Sequence, residues 1–165
     1  MEKLNTWKAL PQALCADNSG LTEEIELSIA NPQKYFEKFE EELFERGIEQ
    51  PAGVSPWLAL VDGLARRGYL HEFDCKFDAG EVVWQLERLQ PCTKRRIDLS
   101  NLPENSQAVG EGLLSAAARL LGNNSLSLMS LDIDSDSYPV IPVPTDQVPT
   151  IQTLLAILGQ QAKIL

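Results

Sequence analysis

The sequence predicts an α+β domain in which helices pack on a small, mainly antiparallel sheet. Three patterns predict it: apolar residues at helical spacing through 20–68, alternation over 69–77, and two alternating stretches around a turn in the last third. Helices and strands in this order are typical of a fold in which helices and an antiparallel sheet form separate layers, rather than of a doubly wound parallel sheet. The chain has 165 residues, which fits a single domain over 1–165, with 1–19 as an N-terminal helical extension.

Three helices are predicted in the first half. Apolar spacing over 20–30 predicts the first of them. The second and third helices each begin with an N-cap residue followed by proline. Asn31 caps the second helix, over 32–46, and Ser55 caps the third. Glycines stand where these last two helices should end, at Gly47 and Gly68.

The middle of the chain changes from helix to strand and back. Alternation of apolar and charged residues over 69–77 predicts a strand. Asp78, followed three residues later by a glutamate, resembles a capping box and begins a helix over 79–89. Two prolines make 90–103 mainly a connection, in which a short strand at 96–99 is an alternative.

The last third is predicted to form a helix, a hairpin and a second helix. Apolar spacing predicts the first helix over 109–121. In the first hairpin strand the alternation slips by one residue at Met129, which predicts a β-bulge. The returning strand over 138–143 contains prolines that cannot donate ladder hydrogen bonds, so we expect it at a sheet edge. Asp146 should cap the final helix, and a short strand at 162–165 should follow it.

Charge is the most informative bulk property. The net charge is −10, and residues 1–60 alone contain eleven acidic and five basic residues. A protein that binds nucleic acid or an anionic membrane needs a basic face. In this chain only Lys94, Arg95 and Arg96 form even a small basic cluster. Nucleic acid and membrane are therefore disfavoured as partners, whereas a basic protein would be attracted. The basic cluster is either an anion site for phosphate or carboxylate, or a solvated surface stretch.

Cysteine and histidine usage argues against most catalytic classes. Three widely spaced cysteines do not form a disulfide framework, which indicates a cytoplasmic protein. The one histidine, His71, is four strand positions from Cys75, about 13 Å away, so the two side chains cannot pair. A half-buried core histidine is the simpler interpretation. The balance is therefore against an enzyme, although a hydrolase that uses carboxylates without histidine remains an alternative.

Three alternate carboxylates precede the returning hairpin strand. Asp132, Asp134 and Asp136 have the spacing of the first three ligands in an EF-hand loop, so they form a candidate site for Ca²⁺ or Mg²⁺. Ser137 replaces the glycine of that loop, and Val143 replaces its bidentate glutamate. The alternative is a solvated hairpin turn, since Asp and Ser are ordinary turn residues.

Two features of the helices indicate a surface for another protein. Glu37, Glu41 and Glu45 recur every four residues, which places them in a row on one helix face. Phe44 and Trp84 lie off the apolar stripes of their helices, where exposed aromatics would be interface residues. The alternative is that these helices lie between layers and bury both aromatic side chains.

Three strings carry a resemblance to a known family. They are SPWLALVDGL at 55–64, GYLHEFDCK at 68–76 and DIDSDSY at 132–138. The chain resembles an uncharacterised bacterial domain family that shares an Asp-Gly-Leu helix, an Asp-x-Lys stretch and a late Asp-Ser-Asp-Ser-Tyr segment, over about 20–165. The resemblance implies no activity. An aromatic often stands in that family at the position of Cys75, which makes a catalytic role for this thiol less plausible.

These observations support three hypotheses for function. The leading one is a small, acidic, cytosolic protein–protein interaction module that resembles immunity proteins in size and acidity alone. The second is a binding domain for a divalent cation at Asp132, Asp134 and Asp136. The third is the carboxylate-dependent hydrolase.

Overall fold

The computed structural model describes residues 1–16, 18–102 and 108–165. Within these ranges the helices are α1 Glu2–Leu14, α2 Ser19–Ala30, α3 Pro32–Lys38, α4 Glu40–Glu45, α5 Pro56–Arg66, α6 Ala79–Glu87, α7 Gln90–Arg95, α8 Glu111–Gly122 and α9 Val148–Leu158. The strands are β1 His71–Phe73, β2 Leu126–Leu131, β3 Tyr138–Pro144 and β4 Ala162–Ile164. Short 3-10 helices cover Pro51–Gly53 and Thr145–Gln147.

The four strands form one antiparallel sheet in the order β1-β3-β2-β4. The hairpin β2-β3 is its centre and lies in the last third of the chain, as predicted. The α+β class and the small antiparallel sheet are therefore confirmed.

Both faces of the sheet are covered by helices. Leu126 and Leu128 of β2 belong to a core with α6, α7 and α8, whereas Met129 and Leu131 belong to a second core with α1, α2, α3, α5 and α9. The register between β2 and β3 runs without interruption past Met129. The predicted bulge is therefore wrong: the slip in the pattern arises because both faces of this strand are apolar.

Two of the three prolines of β3, Pro142 and Pro144, occupy positions where no hydrogen bond to a neighbouring strand is needed. The N–H of Thr145, just after β3, points toward β2: it donates to the carbonyl of Ser125, the residue before β2, at 2.9 Å. Because N–H groups alternate sides along a strand, the nitrogens of Pro142 and Pro144 face away from β2. On that side β1 pairs only with 138–140. The edge prediction is wrong for the strand as a whole, since β3 is interior, yet among the described strands its second half pairs on one side only.

Helix starts follow the predicted capping chemistry in the first half. Asn31, Ser55 and Asp78 each accept a hydrogen bond from a backbone N–H three residues ahead, at 3.0, 3.1 and 2.8 Å. Gly47 and Gly68 have φ of 77° and 74°, as expected at helix ends. The prediction for Asp146 is wrong, because Gln147 precedes α9 and makes no side-chain cap.

Three predicted elements differ from the structure. The helix over 32–46 is divided at Phe39, whose ring lies 4.1 Å from the Arg66 guanidinium carbon. The strand over 69–77 is reduced to β1. The connection over 90–103 contains α7 instead of a strand, because proline fits its first turn and two of its side chains are buried; Pro103 lies outside the described residues.

The N-terminal helix is packed against the core. Trp7, Leu10 and Leu14 of α1 are buried in the core that contains α2 and α9. In the described ranges no helix combines the length and apolar composition needed to cross a bilayer.

Leu60 is fully buried in α5, so Leu60→Ala should lower the free energy of unfolding by ~2–5 kcal/mol through lost burial and a new cavity. Urea denaturation followed by circular dichroism measures this. The control Ile157→Ala removes a side chain that is 37% exposed and should have a much smaller effect. Equal losses in the two variants would contradict this assignment of the core.

Candidate functional site

The three strings that carry the family resemblance meet around one arginine. Arg46 follows α4, Asp62 lies on α5, Glu72 on β1 and Ser137 in the turn between β2 and β3. Their side chains form one hydrogen-bonded group, which we call the Arg46 cluster. Elements that are distant in the chain are therefore joined at this point.

The Arg46 guanidinium bridges two carboxylates. Its Nε donates to both oxygens of Asp62, at 2.8 and 3.1 Å, and its Nη2 donates to Glu72 Oε2 at 2.7 Å. The Ser137 hydroxyl donates to Glu72 Oε1 at 2.6 Å. The two-pronged contact with Asp62 suits the planar guanidinium, which a lysine could not replace.

The electrostatics of the cluster follow from its burial. Burial raises the pKa of Asp62 despite the hydrogen bonds from Arg46. Burial also acts to raise the pKa of Glu72, but the hydrogen bonds from Arg46 and Ser137 outweigh it and the net shift is downward. Glu72 is therefore an ionised partner of Arg46 and is not poised as a proton donor.

A second set of ion pairs continues along α5. Glu24 of α2 accepts hydrogen bonds from Arg66 at 2.6 Å and from Arg67 at 3.0 Å, and Arg66 also reaches Glu42 at 2.6 Å. Gly63 permits this close approach of α2, because a Cβ there would lie 2.3 Å from a methyl group of Leu21. Packing thus explains the glycine of the Asp-Gly-Leu motif.

The hairpin turn is held against α5 by a further contact. The Trp57 indole N–H donates to the Asp132 carbonyl at 2.7 Å. The Asp132 carboxylate accepts the N–H of Asp134, which adopts the left-handed conformation with φ 59°. Ile133 packs against the core between these two aspartates.

An open groove runs between the end of α4 and the hairpin turn; we call it the acidic groove. Half-buried Ile48, Leu58 and Ile133 line it together with Arg46 and Glu72 of the cluster. Its exposed residues are Glu45, Asp134, Ser135 and Asp136. The groove therefore combines apolar side chains with several carboxylates.

The predicted interaction residues are all exposed. Glu37 lies on α3, whereas Glu41 and Glu45 lie on α4, so the predicted row spans two helices. Phe44 is 47% exposed and Trp84 is 57% exposed, which excludes the alternative that they are buried between layers. The two aromatics lie on opposite sides of the sheet, because α4 and α6 belong to different cores.

The predicted cation site does not gather its carboxylates. Asp132, Asp134 and Asp136 are exposed, and only Asp134 and Asp136 line the acidic groove. Across the described ranges, no three histidine, cysteine, aspartate or glutamate side chains are grouped to hold a metal ion. Binding of Ca²⁺ or Mg²⁺ here stays a prediction.

Nearly the whole chain, including the three family strings, is similar to a known domain family. Residues 6–165 match the model of a domain of unknown function, DUF6630. The chain belongs to this family. No curated protein and no solved structure matches the chain at the significance required. The predicted membership of an uncharacterised domain family is thus confirmed, over slightly more of the chain than the expected 20–165.

The single histidine and the cysteines of this DUF6630 chain show no catalytic arrangement in the described residues. Burial lowers the pKa of His71, whose ring lies edge-on to Phe73 at 4.5 Å. Burial raises the pKa of the Cys92 thiol to about 12, which removes its nucleophilic form at neutral pH. Cys75 is exposed beyond the end of β1.

Sequence patterns did not single out Arg46, Asp62 or Glu72. A signal was present for Asp62, which interrupts the apolar stretch of α5 in a string that the family shares. A charge at a buried helical position requires a partner, but spacing alone does not identify Arg46 as that partner.

Arg46→Met should lower the free energy of unfolding of the DUF6630 domain by ~3 kcal/mol, because Asp62 is left as a buried carboxylate without its cation. Urea denaturation at pH 7 measures the change. Arg88→Met is the control, since Arg88 is exposed and stacks on Trp84. A loss no larger than that of the control would show that the cluster does not stabilise the fold.

Glu72→Gln should reduce the loss of stability in acid. The pKa of Glu72 is lowered on folding, so its contribution is present above about pH 4.3 and disappears as the pH falls through the folded pKa. The variant lacks this contribution, and its stability should fall less between pH 6 and pH 3 than that of the original chain. Glu23→Gln, at an exposed site, should keep the original pH dependence. Parallel curves for all three proteins would contradict the assignment.

Proposed function

We propose that this DUF6630 domain is a protein–protein interaction module whose acidic groove binds a basic segment of a partner protein. The observation that carries the proposal is the combination of apolar and acidic side chains in one groove at the point where the three family strings meet. The size and acidity of the chain resemble those of immunity proteins, which fits a basic partner.

The side chains of the groove suit lysine and arginine. Ile48, Leu58 and Ile133 provide apolar surface for the methylene stems, and Glu45, Asp134 and Asp136 provide carboxylates for the charged ends. Among the described residues none of these three carboxylates forms a salt bridge within the domain. A partner would therefore gain ion pairs without breaking existing ones.

The surface continues from the groove onto α4. Phe44 is adjacent to Glu45 and packs edge-on against Phe36, with ring centroids 5.9 Å apart. Glu40 and Glu41 lie one turn before Phe44 on the same face and are exposed. An exposed ring beside carboxylates favours an arginine, as Arg66 over the Phe39 ring illustrates within the domain itself.

The Arg46 cluster makes this surface rigid before binding. It ties the end of α4 to the hairpin turn, which are the two walls of the groove. A partner therefore meets a formed groove and loses less free energy to ordering. This arrangement supports binding more strongly than turnover, since Glu72 is ionised and paired with Arg46.

A cytoplasmic location belongs to the same proposal. None of Cys15, Cys75 and Cys92 is in a disulfide, which suits a reducing compartment. Binding of a divalent cation and a carboxylate-dependent hydrolase remain the alternatives.

The test uses a synthetic peptide in which arginines flank leucines, together with its acidic counterpart. We expect the basic peptide alone to bind, with chemical-shift changes at the amides of Ile48, Leu58 and Ile133 and with affinity that falls as salt rises. The variant Glu45→Gln/Asp134→Asn/Asp136→Asn should weaken binding at least tenfold.

A matched control removes the same charges elsewhere. Glu23→Gln/Asp98→Asn/Asp146→Asn changes three exposed carboxylates outside the groove and should leave the affinity within about twofold. Equal weakening by the two triple variants would show that only net charge matters. Binding of the acidic peptide, or shifts confined to other surfaces, would refute the groove as the site.

A further inference from the structure

A second cleft lies away from the acidic groove, between the end of α1, the helix α7 and the end of β3. It is open, with a volume of about 270 Å³, just below the ~300–1,000 Å³ that is typical of ligand sites. We call it the basic cleft. Its lining includes Gln12, Leu14, Tyr69, Pro91, Lys94 and Arg95.

The apolar part of the basic cleft is formed by buried side chains. Leu14 is 3% exposed, and Pro91 is buried in the first turn of α7. Both are held in place by the core, because Leu14 packs with Tyr69 in one core and Pro91 is followed by buried Cys92 in the other. The apolar part of the cleft is therefore continuous with the packed core.

A buried tyrosine supplies an unused hydroxyl. Tyr69 is only 6% exposed, and within the described part of the chain its hydroxyl makes no hydrogen bond. Every fully buried side-chain oxygen or nitrogen in that part has a partner, so the Tyr69 hydroxyl must be reached by solvent. Because Tyr69 lines the cleft, this hydroxyl is a donor for a molecule bound there.

Two cations line the same cleft. Lys94 and Arg95 are in the last turn of α7, and in the described ranges neither lies within 4.0 Å of a carboxylate. Other exposed cations, such as Lys3 and Arg119, also form no salt bridge with the described residues, so what distinguishes Lys94 and Arg95 is their position beside an apolar cleft. In a chain of net charge −10, two unpaired cations beside an apolar cleft are suited to an anionic ligand.

We propose that the basic cleft binds a small organic carboxylate with an apolar body. The carboxylate accepts hydrogen bonds from Lys94, Arg95 and the Tyr69 hydroxyl, and the apolar body packs against Leu14 and Pro91. The cleft is too small and its basic cluster too short for a nucleic acid. This site is separate from the acidic groove, so its failure or success does not decide the proposed function.

The test compares three probes by isothermal titration calorimetry. Octanoate carries both the charge and the apolar body, 1-octanol carries only the apolar body, and inorganic phosphate carries only charge. We expect octanoate to bind and the other two to bind at least tenfold more weakly. Equal binding of octanol, phosphate binding that matches octanoate, or no binding of octanoate would each overturn the proposal.

Variants assign the binding to the cleft. Lys94→Gln/Arg95→Gln should weaken octanoate binding about tenfold, and Tyr69→Phe, which keeps the buried ring, should weaken it severalfold. The control Lys3→Gln/Arg119→Gln removes two exposed cations elsewhere and should leave binding unchanged. Circular dichroism checks that each variant folds. Unchanged affinity in the folded Lys94→Gln/Arg95→Gln variant would place the ligand elsewhere and refute the site.

Discussion

The guanidinium of Arg46, held between the carboxylates of Asp62 and Glu72, joins parts of the chain that are far apart in sequence. It connects the end of α4 with α5 and with the edge strand β1, and through Ser137 it reaches the hairpin turn. Desolvation of these charges is costly, so such a group is favourable only when every partner is in place. Together with the Trp57 hydrogen bond to Asp132 and the packing of Ile133, this interaction fixes the position of the hairpin turn and so of the acidic groove.

Local chemistry in the sequence was sufficient to predict much of the fold. Asn31, Ser55 and Asp78 cap their helices as predicted, because a cap depends on residues within one turn. The predicted β-bulge at Met129 is wrong, because both faces of β2 are buried. Such a strand is apolar at successive positions and lacks the alternation from which its buried face could be identified. Helix α7 was missed because two prolines suggest a connection, whereas burial of Pro91 and Cys92 stabilises a short helix there.

The candidate sites were less predictable than the fold. Exposure of Phe44 and Trp84 agrees with their positions off the apolar stripes, a local property of each helix. The groove and the cleft, in contrast, are formed by side chains from segments far apart in sequence. Tyr69 illustrates the difficulty: its place in a strand-like pattern indicates burial, but nothing in the pattern shows that its hydroxyl lacks a partner.

The prolines in the second half of β3 have a consequence for self-association. Beyond the short strand β1, this half of β3 is buried but has no neighbouring strand on one side among the residues that the structure describes. An exposed strand edge normally offers donors and acceptors to which another polypeptide can add, which is a route to aggregation. Pro142 and Pro144 remove two of those donors and so deny an incoming strand a regular ladder. The missing donors and the contact with α7 together hinder edge-to-edge polymerisation along the gap left by β1.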